Sequence, residues 1–179
     1  QLRRVKERPR EMRTREAAAS RAAKAAWLRL RTPARRRDWI EALVMLGLFV
    51  VLAAAASTLP LASHIRVNAG PAPDPASLLI TAAVALAVPA LGEEFIFRGV
   101  LQPARLNGLR ALLMSALSLA SFVAWHPFQV LARLPTGQAL FLDPAFLGAA
   151  GLLGLICTIS VHRSGSIHPA IATHWAVVV

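Results

Sequence analysis

From residue 39 onward, long apolar runs alternate with short polar breaks. The apolar segments cover 39–63, 77–103, 110–132, 145–161 and 167–179. Between them lie RVNAGPAPDPA, PARLNGLR, RLPTGQALFLD and HRSGS, whose Pro, Gly and Asn residues are turn chemistry. A bilayer core of about 30 Å takes about 20 apolar residues in helix. The pattern therefore predicts an all-α, polytopic integral membrane protein with at least five transmembrane helical segments. The last segment reaches spanning length only in a chain that continues past Val179. The preceding stretch, 2–31, is rich in Arg, Ala, Glu and Leu, good helix formers. Two regions follow: a basic, partly helical tail over 1–38 and a transmembrane domain over 39–179.

Composition agrees with the pattern. Hydrophobic residues make up 56% of the 179, and the mean hydropathy is +0.53. Charge is divided unevenly. Residues 1–38 hold 14 Lys and Arg against four acids, whereas the remaining chain holds six against five. Such a tail suits a solvated cytoplasmic extension or an amphipathic stretch on anionic lipid headgroups. Nothing beyond charge points to nucleic acid, and no such partner is expected. The breaks at 103–110 and 162–166 also carry the basic excess, so the positive-inside rule places them, and the N-terminus, in the cytoplasm. No apolar signal-peptide core occurs in the first 38 residues. Beginning at Gln1 and closing on WAVVV, the chain reads as a segment of a longer one. Its lone cysteine, Cys157, lies in an apolar run, allows no intrachain disulfide and is expected to serve helix packing.

Within the second apolar segment stands ALGEEFIFRGVLQ. Each charge inside a membrane costs roughly 2.5–3.5 kcal/mol on insertion scales, so two adjacent acids need a reason. Glu94 and Arg98 are four residues apart and can pair on one helical face. On an α-helical wheel Glu93 lies about 140° from Arg98, which leaves it free. A charge cluster that locks neighbouring helices is the structural alternative. Downstream, SFVAWHPF sets Phe122 and His126 on one face with Pro127 next, where a kink is expected. GSIHPAIATHW adds His168 and His174. Counted from the basic breaks at 1.5 Å per residue, Glu93, His126 and His174 lie about 18, 24 and 17 Å deep. Three spans thus bring one carboxylate and two imidazoles to a similar level.

A carboxylate and a histidine together can take a proton from water, and a second histidine can stabilise an oxyanion. No serine or cysteine nucleophile accompanies them, which favours direct hydrolysis. A zinc ion held by Glu93, His126 and His174 is the alternative, although HExxH is absent. An ion or proton pathway could use the same groups, but its ionisable residues would be staggered across the bilayer rather than level.

These motifs resemble the CAAX prenyl endopeptidase family, also called CPBP or abortive-infection intramembrane proteases. Glu93, Glu94 and Arg98 match its EExxxR motif. Phe122 and His126 match FxxxH. His174 matches the start of the last motif, whose second place, normally Asn or Asp, is taken by Val178. The resemblance spans about 77–178. It implies an intramembrane endopeptidase in which Glu93 and His126 activate water, while Glu94, Arg98 and Phe122 support the site. His174 would form the oxyanion hole with residue 178, and Val178 has no side-chain donor to contribute. Members have often been described as metalloproteases; the mechanism the resemblance implies is glutamate-dependent, with no cofactor. The expected partners are membrane lipid and a peptide or protein substrate. A catalytically weak relative, acting as a bacteriocin-immunity or scaffold membrane protein, is the second expectation.

Overall fold

The computed structural model describes residues 20–57, 74–103 and 108–179. Their regular structure is entirely helical. A short helix α1 (20–31) precedes α2 (Arg36–Ser57), α3 (Pro75–Leu101), α4 (Gly108–Leu131), α5 (Pro144–Ser164) and α6 (His168–Val178). The last six positions of the first predicted segment, the Pro-rich break before Asp74, and tail residues 1–19 lie outside the described residues.

Four helices, α2 to α5, are long and apolar enough to cross a membrane. The expectation of at least five spans is not met among the described residues. The fifth apolar segment forms α6, whose 11 residues rise about 16 Å, short of a hydrocarbon core of about 30 Å. α5 is the central span. It is 44% buried, against 11–17% for the others, and packs on α2, α4 and α6. The other spans turn rows of exposed Leu, Val and Ile outward, as lipid-facing helices do.

Local chemistry sets where the spans begin. Asp74 accepts from the amides of Ala76 and Ser77 at 3.0 and 3.1 Å, and Pro75 follows it as the first residue of α3. Asp143 and Pro144 repeat this at α5, with bonds from Ala145 and Phe146 of 2.8 and 3.1 Å. In both, the carboxylate satisfies amides that have no partner in the helix, and proline replaces an amide that would have none. α4 continues as helix through Pro127 to Leu131.

α3 departs from α geometry. It is α-helical only to Ala85, then adopts π hydrogen bonding over Leu86–Glu93 and Phe95–Leu101. Pro89 supplies a cause, since it lacks an amide donor and its ring crowds the carbonyl four residues back, which a wider turn relieves. The wheel angle of 140° between Glu93 and Arg98 therefore does not apply. Five residues apart, they are separated by one π-bonded step and lie closer in direction than α geometry allows.

Candidate active site

Glu94 and Arg98 are both fully buried. The Arg98 Nη1 donates to Glu94 Oε1 at 3.0 Å, the pairing the i,i+4 spacing predicts. The same oxygen accepts from His174 Nδ1 at 2.9 Å. Arg98 also reaches α5, where Nη2 donates to the Gly154 carbonyl at 2.9 Å. A side chain at 154 has no room, because a Cβ there would lie 2.7–2.8 Å from Leu119, Arg98 and Phe122. One carboxylate oxygen thus gathers α3 and α6, and its arginine ties in α5.

Phe122 is the hydrophobic hub. It has no exposed surface, and its ring meets Phe97, His126 and His174 edge to face at 5.3–5.7 Å between centroids. The Arg98 guanidinium carbon sits 4.1 Å from the same ring centroid. A cation held over an aromatic face in a desolvated place is worth roughly 2 kcal/mol. The family motif marks Phe122 without saying why; these contacts supply the reason.

Glu93 is placed differently. Its Oε1 accepts from the Trp125 indole at 3.0 Å, and its Oε2 is buried without a hydrogen-bond partner. Glu94 Oε2 is also without a partner, but its other oxygen is held by two side chains, Arg98 and His174, rather than one. Glu93 lies within electrostatic reach of His174, Glu94 and Arg98, and His126 within reach of His174 and Arg98. The Phe122 ring meets both His126 and His174, and Arg98 lies over its face, with His174 carried by the short α6.

His126 is buried among Phe122, Phe141 and Phe146, with ring centroids 5.2–5.3 Å away. Phe141 comes from a single 3₁₀ turn, Ala139–Leu142, that folds the α4–α5 connection back over the site. His126 Nδ1 is 3.1 Å from the Phe122 carbonyl. A carbonyl only accepts, so Nδ1 carries a proton and Nε2 is the nitrogen left facing away from this bond. His174 likewise turns Nδ1 toward the Glu94 carboxyl group.

The remaining candidates are elsewhere. His168 Nε2 lies 2.9 Å from the Leu30 carbonyl and joins α6 to α1. Cys157 is wholly buried, with its thiol 3.6 Å from the Ala170 carbonyl, consistent with a packing role. Val178 is 40% exposed and has no side-chain polar atom. Among the described residues no three of His, Cys, Asp and Glu form a set able to hold a metal ion. The sequence carries no signal for Trp125 and Phe146, since an aromatic ring in an apolar run looks like any lipid-facing residue, nor for Phe141, which lies in the break RLPTGQALFLD.

Four helices able to cross a membrane, with a buried Glu94–Arg98–His174 cluster packed among the helices, mark an integral membrane protein. Residues 75–179 match the family model for type II CAAX prenyl endopeptidase Rce1-like proteins, and the chain belongs to that family. It is a family of membrane proteases. Neither the curated proteins nor the solved structures gave a match.

Proposed function

We propose that this protein is an intramembrane endopeptidase that hydrolyses a peptide bond with a water activated by Glu93 and His126. The observation that carries the reading is the Glu93 oxygen that has no hydrogen-bond partner, with His126 Nδ1 engaged by the Phe122 carbonyl so that Nε2 is the nitrogen assigned to water. Water held by these groups gives a proton to Glu93 as its oxygen attacks the substrate carbonyl. The carbonyl oxygen becomes an oxyanion, and His174, as imidazolium, donates to it from Nε2 while Glu94 holds Nδ1. The proton on Glu93 then passes to the leaving nitrogen as the C–N bond breaks. Glu94, held by Arg98, orients His174 throughout. The substrate is a peptide or protein segment presented within the membrane, and the set works as acid and base without a metal ion.

Cleavage of a membrane-tethered peptide reporter by the purified protein in proteoliposomes tests the reading. Turnover should persist after exhaustive chelation. Loss of activity on chelation that zinc restores would overturn the metal-free mechanism.

Val178 favours a second reading, a catalytically weak member acting as an immunity or scaffold protein, because it offers no donor beside His174. An oxyanion-hole donor is worth about 10²–10³ in kcat. Under the second reading, Val178→Asn should create turnover where the parental chain has none. Under the first, the parental chain already cleaves and the substitution only raises its rate.

A further inference from the structure

Helix α1 has two dissimilar faces. One face packs on the protein through Ala22, Ala25, Ala26, Arg29 and Leu30, with Ala26 and Arg29 fully or nearly buried. Opposite it, Arg21, Lys24, Trp27, Leu28 and Arg31 form a stripe about 120° wide at 3.6 residues per turn. Trp27 and Leu28 are 53% and 54% exposed, and the Arg31 guanidinium sits 5.0 Å from the Trp27 ring centroid. Three cations around an exposed tryptophan and leucine are a composition suited to the headgroup layer of a membrane carrying negative charge. Arg35, Arg36 and Arg37 extend the cationic surface to the start of α2.

The buried face grips the ends of two helices that carry the site. Arg29 Nη1 donates to the carbonyls of Arg98, Gly99 and Gln102, and Nη2 to that of Pro103 at 2.7 Å. These are carbonyls at the C-terminal end of α3, where a helix leaves acceptors unsatisfied and attracts positive charge. Burial pulls the Arg29 pKa down from the usual arginine range, and the four carbonyls compensate for lost water. Gly99 admits the contact, since a Cβ there would come within 3.3 Å of the Ala26 methyl. On the other side, the Ile167 amide donates to the Arg29 carbonyl at 3.3 Å, and His168 bonds the Leu30 carbonyl. His168 begins α6, about 9 Å along the axis from His174.

We infer that α1 is a latch responsive to anionic lipid: its cationic, Trp27-bearing stripe docks on negatively charged headgroups, and Arg29 on its reverse face thereby holds the ends of α3 and α6 that position Glu94 and His174. Arg29 is a positioning residue. The regulatory half of the inference rests on the proposed protease activity, whereas docking and coupling are measurable without it.

The full chain in nanodiscs of phosphatidylcholine alone, or of phosphatidylcholine with phosphatidylglycerol, tests the inference at low and high salt. Amide hydrogen exchange over 20–31 reads docking, exchange over 98–103 reads coupling, and reporter cleavage reads regulation. Phosphatidylglycerol should slow exchange over both segments several-fold at low salt and raise cleavage. The Arg21→Gln/Lys24→Gln/Arg31→Gln variant, altered only on the exposed stripe, should lose the lipid response. Arg29→Lys, which keeps the charge but cannot span four carbonyls, should retain lipid protection over 20–31 and lose it over 98–103. Equal exchange over 20–31 in the two discs would overturn docking. Protection of 20–31 with no response at 98–103 would overturn the coupling. A lipid-independent rate in a protein that cleaves would overturn the regulation, and absence of cleavage with both exchange responses intact would count against the proposed function instead.

Discussion

Glu93 and Glu94 are adjacent in the chain, yet their surroundings are opposite. Glu94 has no exposed surface, and one oxygen carries both Arg98 and His174. Glu93 is half-buried, accepts one bond from a neutral indole and keeps an oxygen free. The first arrangement is a knot that joins three helices, and the second is a group left available for chemistry. The comparison shows how a membrane protein accommodates two neighbouring acids: one is neutralised by fixed partners, and its order lets the other remain underused. A buried ion pair is costly to break, because removing one partner strands the other charge.

The largest expected effect comes from breaking the knot. Arg98→Ala leaves the buried Glu94 carboxyl group without its arginine partner and should destabilise the fold by about 3–5 kcal/mol. A thermal-shift series in detergent should show that loss, with Glu94→Gln/Arg98→Gln recovering part of it. An Arg98→Ala protein with parental stability and no turnover would move Arg98 from structure into the chemistry. A smaller effect is expected on the other acid. Trp125→Phe removes the single donor to Glu93 while keeping an aromatic ring in place. A hydrogen bond to a charged group is worth about 1.5 kcal/mol at its low end, roughly tenfold in kcat. Thermal stability should change little, and KM should hold, because the indole touches the carboxylate rather than the substrate. A kcat unchanged in Trp125→Phe would mean that Glu93 needs no orienting partner.

Much of this contrast is legible in the amino-acid sequence. The pairing of Glu94 with Arg98 follows from their spacing. The Asp-Pro pairs at 74–75 and 143–144 are legible as helix starts, since each combines a capping carboxylate with a proline suited to the first turn. Other features are not legible in this way. The π-bonded stretch of α3 invalidates the α-helical wheel around Glu93, and Pro89 is its only visible warning. Bonds between helices, such as His174 to Glu94 and Trp125 to Glu93, depend on packing that periodicity does not encode. Apolar composition marks residues 167–179 as one segment, and α6 occupies 11 of them, His168–Val178.

The division of labour between the two acids is tested most directly by one paired measurement on Glu93→Gln, a substitution that keeps the side chain's size and its ability to accept from Trp125. Reporter cleavage and thermal unfolding are recorded on the same purified protein. Loss of a general base typically costs about 10²–10⁴-fold in rate. The account predicts a fall of that order with a melting temperature close to the parental one, because no fixed partner depends on the Glu93 charge. Cleavage at the parental rate would contradict the account, as would a loss of stability comparable to that of Arg98→Ala.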